Sequence, residues 1–249
     1  MKEIVISLKA EPLFHIGSFT VTNSLLLAFI VSGVLLLLAW RLKSKLSEVP
    51  GTLQNIFEVA IDGVLSLMDS VLHDRKKSEK YLPLVATIFL FVMISNWMGL
   101  LPGVGSLGLH AMHEGREEFT PLFRAPAADL NFTISLAILS VVGVNLAGVA
   151  VLGVRRHLSK FFTLKNPIYT FVGLLELVSE FAKMISFSFR LFGNVFAGEV
   201  LLIIVGALVP YFVPLPFLAL EIFVGFIQAF IFSMLTLVFL AISTAEEGH

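Results

Sequence analysis

The chain has no cysteine, which excludes disulfide staples, thiolate catalysis and iron–sulfur ligation. Charge is scarce too. Only 14% of the 249 residues are Asp, Glu, Lys or Arg, against about 25% in soluble domains. The net charge of −1 and the absence of a basic tail give no footprint for nucleic acid. Polar aromatics are few, with 3 Tyr and 2 Trp beside 24 Phe. The first twenty residues carry Glu3, Glu11, Pro12 and His15 and lack a signal-peptide apolar core, so the first hydrophobic segment is expected to direct insertion. What fills the chain is apolar: 57% of residues are hydrophobic. These proportions describe a polytopic membrane protein rather than a soluble domain.

Apolar runs set the expected organisation, a single all-α membrane domain over 1–249. Residues 22–40 form a first span ending in Arg41 and Lys43. Over 51–72 the pattern changes: Leu53, Ile56, Phe57, Ala60, Val64, Leu67, Met68 and Val71 recur at helical spacing, with Gln54, Asn55, Glu58, Asp62 and Asp69 opposite. This is an amphipathic helix, expected at the interface or packed on protein. Spans two and three follow at 82–102 and 131–154, separated by a polar loop. The last third holds two runs, 167–209 and 216–243, about 60 Å and about 40 Å long as helices. A hydrocarbon core about 30 Å thick cannot take either upright. The expectation is a long, steeply tilted helical hairpin, with a separate interfacial helix over 167–185 as the open alternative.

Lys and Arg counts set the orientation. Residues 41–80 and 153–170 together hold eleven: Arg41, Lys43, Lys45, Arg75, Lys76, Lys77, Lys80, Arg155, Arg156, Lys160 and Lys165. The other side holds Lys2, Lys9, Arg116 and Arg124. Five passes then place the N-terminus outside and the C-terminus in the cytoplasm.

Arg190 is the energetic anomaly. A guanidinium keeps its proton, and at membrane depth it costs roughly 2.5–3.5 kcal/mol. At 100° per residue, Glu176, Ser179, Lys183, Ser186, Arg190 and Asn194 fall on one stripe, which lipid cannot satisfy. A lone arginine could snorkel or pair structurally. Arg190 lies too deep for easy snorkelling, and polar groups share its face. Glu199, nine residues further, points the opposite way and is no partner of Arg190 within one helix. Folding the hairpin brings Glu199 toward Glu221 and sets Gln228 near the level of Arg190. Two polar centres result, one rich in carboxylate and one of Arg, Gln and Asn.

Three other signals carry less. Gly103-Val-Gly105-Ser-Leu-Gly108 matches G-x-G-x-x-G but follows a membrane span and has no βαβ setting. His110 and His113 beside Glu114 lie in a polar loop, where solvated histidines are more common than ligands. Asn131-Phe-Thr133 is formally a sequon, yet Asp129 or Asn131 as a helix N-cap is the simpler account. No metal and no cofactor is expected.

The run Arg190-Leu-Phe-Gly-Asn194-Val-Phe-Ala-Gly-Glu199 resembles the signature of subunit a of the F-type ATP synthase. So do Gln228-Ala-Phe-Ile-Phe-Ser-Met-Leu-Thr-Leu and Pro126-Ala-Ala-Asp129-Leu-Asn131-Phe-Thr133, and weaker similarity covers nearly the whole chain. The resemblance implies a proton-translocating stator subunit, not catalytic by itself, in a bacterial inner membrane. Its implied partners are a c-subunit ring, peripheral-stalk b subunits, lipid and the translocated proton, with no nucleotide bound. Arg190 would face the ring carboxylates between two offset half-channels. Asn194 and Gln228 would position or hydrate it, and Glu199 and Glu221 would line the outer half-channel. Glu176, Ser179 and Lys183 would line the inner one. Many family members carry a His at one of the two positions that are Glu199 and Glu221 here, and adjacent carboxylates titrate as a coupled pair. The alternatives are a sodium-translocating version, a self-contained ion-coupled secondary transporter, and a structural anchor. No internal repeat supports the transporter, and the polar stripe argues against the anchor.

Overall fold

A computed structural model describes residues 9–44, 51–101, 103–105, 107–113, 116–159, 161, 167–209 and 211–245. Lys2, Lys45, Glu114, Lys160, Lys165, Pro210 and the end from Glu246 to His249 lie outside them, as do the side chains of His110 and His113.

The described chain begins with a hairpin, β1 (Pro12–Ile16) and β2 (Phe19–Thr22), turned at Gly17, whose φ of 64° suits a residue without a Cβ. Seven helices follow in order: α1 (Asn23–Ser44), α2 (Thr52–Leu72), α3 (Arg75–Gly99), α4 (Leu130–Leu152), α5 (Val154–Ser159), α6 (Pro167–Leu208) and α7 (Pro214–Thr244). Between α3 and α4 lie a second hairpin, β3 (Gly108–His113) and β4 (Arg116–Pro121), and a 3₁₀ turn, Pro126–Ala128. Helices α1, α3, α4, α6 and α7 are long and apolar enough to cross a membrane. The all-α polytopic expectation holds.

Local chemistry sets where helices begin. Asp74 caps α3 by accepting from the Lys76 amide at 2.9 Å. That cap starts the helix at Arg75, well before residue 82, because its first turns are basic and escape a hydropathy reading. Asp129 caps α4, accepting from the Asn131 amide at 3.0 Å. Pro214 and Pro216 sit in the first turn of α7, where their missing N–H groups cost nothing. Tyr211, at φ 85°, reverses the chain before it.

α6 is one unbroken helix of 42 residues, about 63 Å long. The separate helix over 167–185 does not form. Such a rod exceeds a core of about 30 Å twofold, so it must incline steeply or project beyond it.

The interior is built around α7. Ile88, Val92, Ala137, Phe187, Leu191, Ala229 and Phe232 join α3, α4, α6 and α7. Met68, Tyr81, Val85, Val144, Leu237 and Leu240 add the buried face of α2. Phe187 lies 5.0 Å from Phe232 and stacks at 5.5 Å on Phe239. Ser140 and Thr236 share a buried hydrogen bond of 2.8 Å between α4 and α7, the kind of small-residue contact that holds helices together in lipid. Leu36, Leu37, Phe171, Phe181 and Phe189 are instead exposed, as expected of a surface solvated by acyl chains.

Candidate functional site

Two cavities with charged linings lie along α6, with Arg190 between them. At one end a cavity of about 300 Å³ opens among α3, α6, α7 and the loop before the 3₁₀ turn. Glu199, Glu221, Arg124 and Asn96 line it. Glu221, on α7, is 8% exposed, and its carboxylate occupies the space that a side chain at position 198 would need. Gly198 is therefore the residue that lets the two glutamate-bearing helices close.

Glu199 has a partner that its local sequence does not reveal. Arg124 Nε lies 3.2 Å from Glu199 Oε2, and Arg124 Nη1 donates to the Lys9 carbonyl at 3.0 Å. The guanidinium also lies 5.8 Å from the Phe196 ring centre. Its side chain is 6% exposed and that of Glu199 30%, so the pair is desolvated on one side and faces the cavity on the other. Helical arithmetic excludes Arg190 as the partner of Glu199, and Arg124 takes that place.

The cavity wall is fixed by polar bonds between distant segments. Asn96 Nδ2 donates to the Gly225 carbonyl at 3.1 Å, and Trp97 Nε1 to Ile222 at 3.0 Å, tying α3 to α7. Asn96 Oδ1 is buried with no hydrogen-bond partner among the described residues. Ser24 Oγ donates to Asp129 at 2.8 Å, and Asn23 Nδ2 to the Pro121 carbonyl at 3.3 Å. These bonds hold the start of α1 against the loop that carries Arg124.

Arg190 is exposed on α6, and among the described residues its guanidinium makes only a long contact, 3.5 Å, to Ser186 Oγ. Asn194, also exposed, donates to the Arg190 carbonyl at 2.8 Å. Gln228 is buried on α7, and no hydrogen bond joins it to Arg190 among the described residues. The stripe Glu176, Ser179, Ser186, Arg190 and Asn194 is exposed along its length. Lys183 departs from it, turning in to pair with Glu180 at 2.6 Å and to lie 4.7 Å over the Phe239 ring.

A second, smaller cavity of about 30 Å³ lies at the other end of α6, lined by Asn145, His157, Glu176, Glu180, Lys183 and Ser243 among others. Ser179 does not line it; Glu180 does. From Glu180 to Glu199 is nineteen residues of continuous helix, about 29 Å, and Arg190 stands about midway.

This arrangement can be set beside known proteins. The model of the ATP synthase A chain family matches residues 21–241. The chain belongs to that family. "ATP synthase subunit a" of Campylobacter jejuni subsp. jejuni serotype O:6 is 36% identical over 240 residues, covering 95% of this chain and 91% of its own. "ATP synthase subunit a 1" of Syntrophotalea carbinolica is 35% identical over 244 residues, 96% and 91% of the two chains. "ATP synthase subunit a" of Sulfurimonas denitrificans is 36% identical over 235 residues, 94% and 95%. The resemblance carried by the Arg190 and Gln228 runs is thus family membership.

Among the described residues no cluster of three or more His, Asp or Glu is placed to hold a metal. Sequence reasoning missed Arg124, Asn96, Asn145, His157 and Glu180 in this family member. Glu180 had a usable signal in its i, i+3 spacing to Lys183. Arg124 had none, since its partner lies 75 positions away.

Proposed function

We propose that this chain is the proton-translocating stator of a rotary ATP synthase, with access paths at the two ends of α6 and Arg190 between them. Family membership makes it a multi-pass membrane subunit of the ATP synthase, not catalytic by itself. The observation that carries the finer reading is the placement of Arg190. It is exposed on a continuous helix about 15 Å along the axis from the Glu180 cavity and about 14 Å from the Glu199 cavity.

In this reading the stripe faces a ring of c subunits, each bearing a membrane carboxylate. Arg190 favours the ionised carboxylate as it passes, because an opposite charge stabilises ionisation. As a permanent cation it also repels a proton moving directly from one access path to the other. Asn194 fixes the turn beneath Arg190, and Gln228 supplies a polar surface behind it. Glu199 and Glu221 deliver protons from the outer cavity through water, with Arg124 holding Glu199 in place. The excess of Lys and Arg at 41–80 and 153–170 sets the Glu180 end toward the cytoplasm and the Glu199 end outside, in the inner membrane of a bacterium. Peripheral-stalk b subunits would meet α1 and α2.

Arg190→Ala tests the reading. The complex should assemble and hydrolyse ATP, while ATP-driven proton pumping by reconstituted vesicles falls to background. Near-normal pumping in that variant overturns the proposal.

A further inference from the structure

The inner end contains a network that the stripe does not explain. α5 is a helix of six residues, five of them exposed, including Arg155 and Arg156. His157 is the exception, only 4% exposed, with its ring inserted between α4 and α7. The insertion depends on Gly148: a Cβ there would lie 2.7 Å from His157 Cε1 and 2.9 Å from Nδ1, and would overlap Ser243 Oγ.

The hydrogen bonds of Asn145 fix the direction of the network. Its Nδ2 donates to the Val141 carbonyl at 2.9 Å and to Glu180 Oε2 at 3.2 Å. Both amide hydrogens are thereby used, which identifies the nitrogen end of the amide, and Oδ1, a carbonyl oxygen, accepts. His157 Nε2, 3.0 Å from that oxygen, is therefore the donor. The order runs His157 to Asn145 to Glu180, and the second carboxylate oxygen, Oε1, takes Lys183 Nζ at 2.6 Å. Glu180 is held by donors on both oxygens at the edge of a cavity with room for about one water. Glu176 lines the same cavity and belongs to the exposed stripe, so the cavity adjoins the face that carries Arg190.

We propose that Glu180 is the carboxylate that exchanges protons with the inner medium, and that His157, acting through Asn145, is the residue that positions it. The inference rests on the two-path reading above. In the step itself an O–H bond forms on Glu180 as a proton arrives through cavity water and breaks as it leaves to the inner medium. Lys183 beside it and Glu176 across the cavity set the local charge. His157 touches no transferred proton; it fixes the amide that orients the carboxylate.

The test uses the whole complex in vesicles with the catalytic sector stripped, measuring passive proton conduction. Glu180→Gln should slow conduction about tenfold or more, and Glu180→Asp less. His157→Ala should slow it similarly, whereas His157→Gln, which keeps an N–H donor, should recover most of the rate. The double variant His157→Ala with Glu180→Gln should be no slower than Glu180→Gln alone, since one residue acts through the other. Multiplying effects, or unchanged conduction in Glu180→Gln, overturn the proposal. Equal slowing by His157→Ala and His157→Gln also overturns it. Failure of the two-path reading looks different: the unmodified complex would not conduct, or Arg190→Ala would still couple pumping to ATP.

Discussion

Removing the Arg124 guanidinium should loosen the outer cavity chiefly by stranding Glu199. Breaking a buried pair by deleting one partner costs about 3–5 kcal/mol, because the remaining charge stays desolvated. Glu199 keeps 30% of its side-chain exposure and faces the larger cavity, so the cost falls below that range, to about 2 kcal/mol. Loss of the bond to the Lys9 carbonyl adds about 1 kcal/mol. Arg124→Ala should therefore cost about 3 kcal/mol locally, and Arg124→Ala with Glu199→Gln only about 1–1.5 kcal/mol, since no charge is then stranded. Amide hydrogen exchange on the intact complex reads such local opening. The sensitive amides are Leu122, bonded to the Leu107 carbonyl at 2.8 Å, and Asn23, bonded to Glu11 at 3.1 Å. Their exchange should accelerate about a hundredfold in the single variant and about tenfold in the double. Equal acceleration in both variants would show that the ion pair does not hold this end together, and unchanged exchange in Arg124→Ala would refute the reasoning outright.

Three further outcomes follow from the same geometry. Glu199→Gln combined with Glu221→Gln should reduce proton-driven ATP synthesis by two orders of magnitude or more while leaving ATP hydrolysis by the detached catalytic sector intact; unchanged synthesis would place the outer path elsewhere. Single cysteines at Ser186, Gly193, Asn194 or Ala197, all exposed on α6, should crosslink to cysteines in the ring. Cysteines at the buried Phe187 and Leu191 should not, and the reverse pattern would refute the assigned face. Ser24→Ala removes a buried bond to a carboxylate, worth about 1.5–3 kcal/mol. It should lower the temperature at which the purified complex loses this subunit, and an unchanged midpoint would show that the bond contributes nothing.

Helical periodicity made much of this legible, because it is a property of one segment at a time. The i, i+3, i+4 recurrence over 51–72 encodes the two faces of α2, whose Met68 is fully buried. The nine-residue interval between Arg190 and Glu199 encodes their opposite directions. Contacts between segments were less legible. The approach of Glu221 to Glu199 could be estimated because one short turn joins α6 to α7. Arg124 arrives from a loop positioned by Ser24–Asp129 and Asn23–Pro121 contacts, each about a hundred residues apart in sequence. The two hairpins were illegible for another reason: strands of four to six residues give too few alternations to stand out from a loop. His157 was hidden by its neighbours, since a histidine beside two exposed arginines reads as part of a solvated basic turn.

The distribution of countercharge separates Arg190 from the two cations at the cavities. Lys183 has Glu180 at 2.6 Å and Arg124 has Glu199 at 3.2 Å. Arg190 has no carboxylate within ion-pair distance among the described residues, only the hydroxyl at 3.5 Å. In the proposed reading, the cost of this exposed cation, roughly 2.5–3.5 kcal/mol at mid-membrane, is met by another molecule. A single fixed counter-ion would satisfy that energy but would also lock the surface in one register. A succession of identical carboxylates satisfies it repeatedly without trapping, provided each arrives ionised and can leave protonated. Those two conditions require proton access on both sides of Arg190 and none across it. In the proposed reading, the cavities at Glu199 and Glu180, about 29 Å apart along one unbroken helix, are the two places where such access would lie.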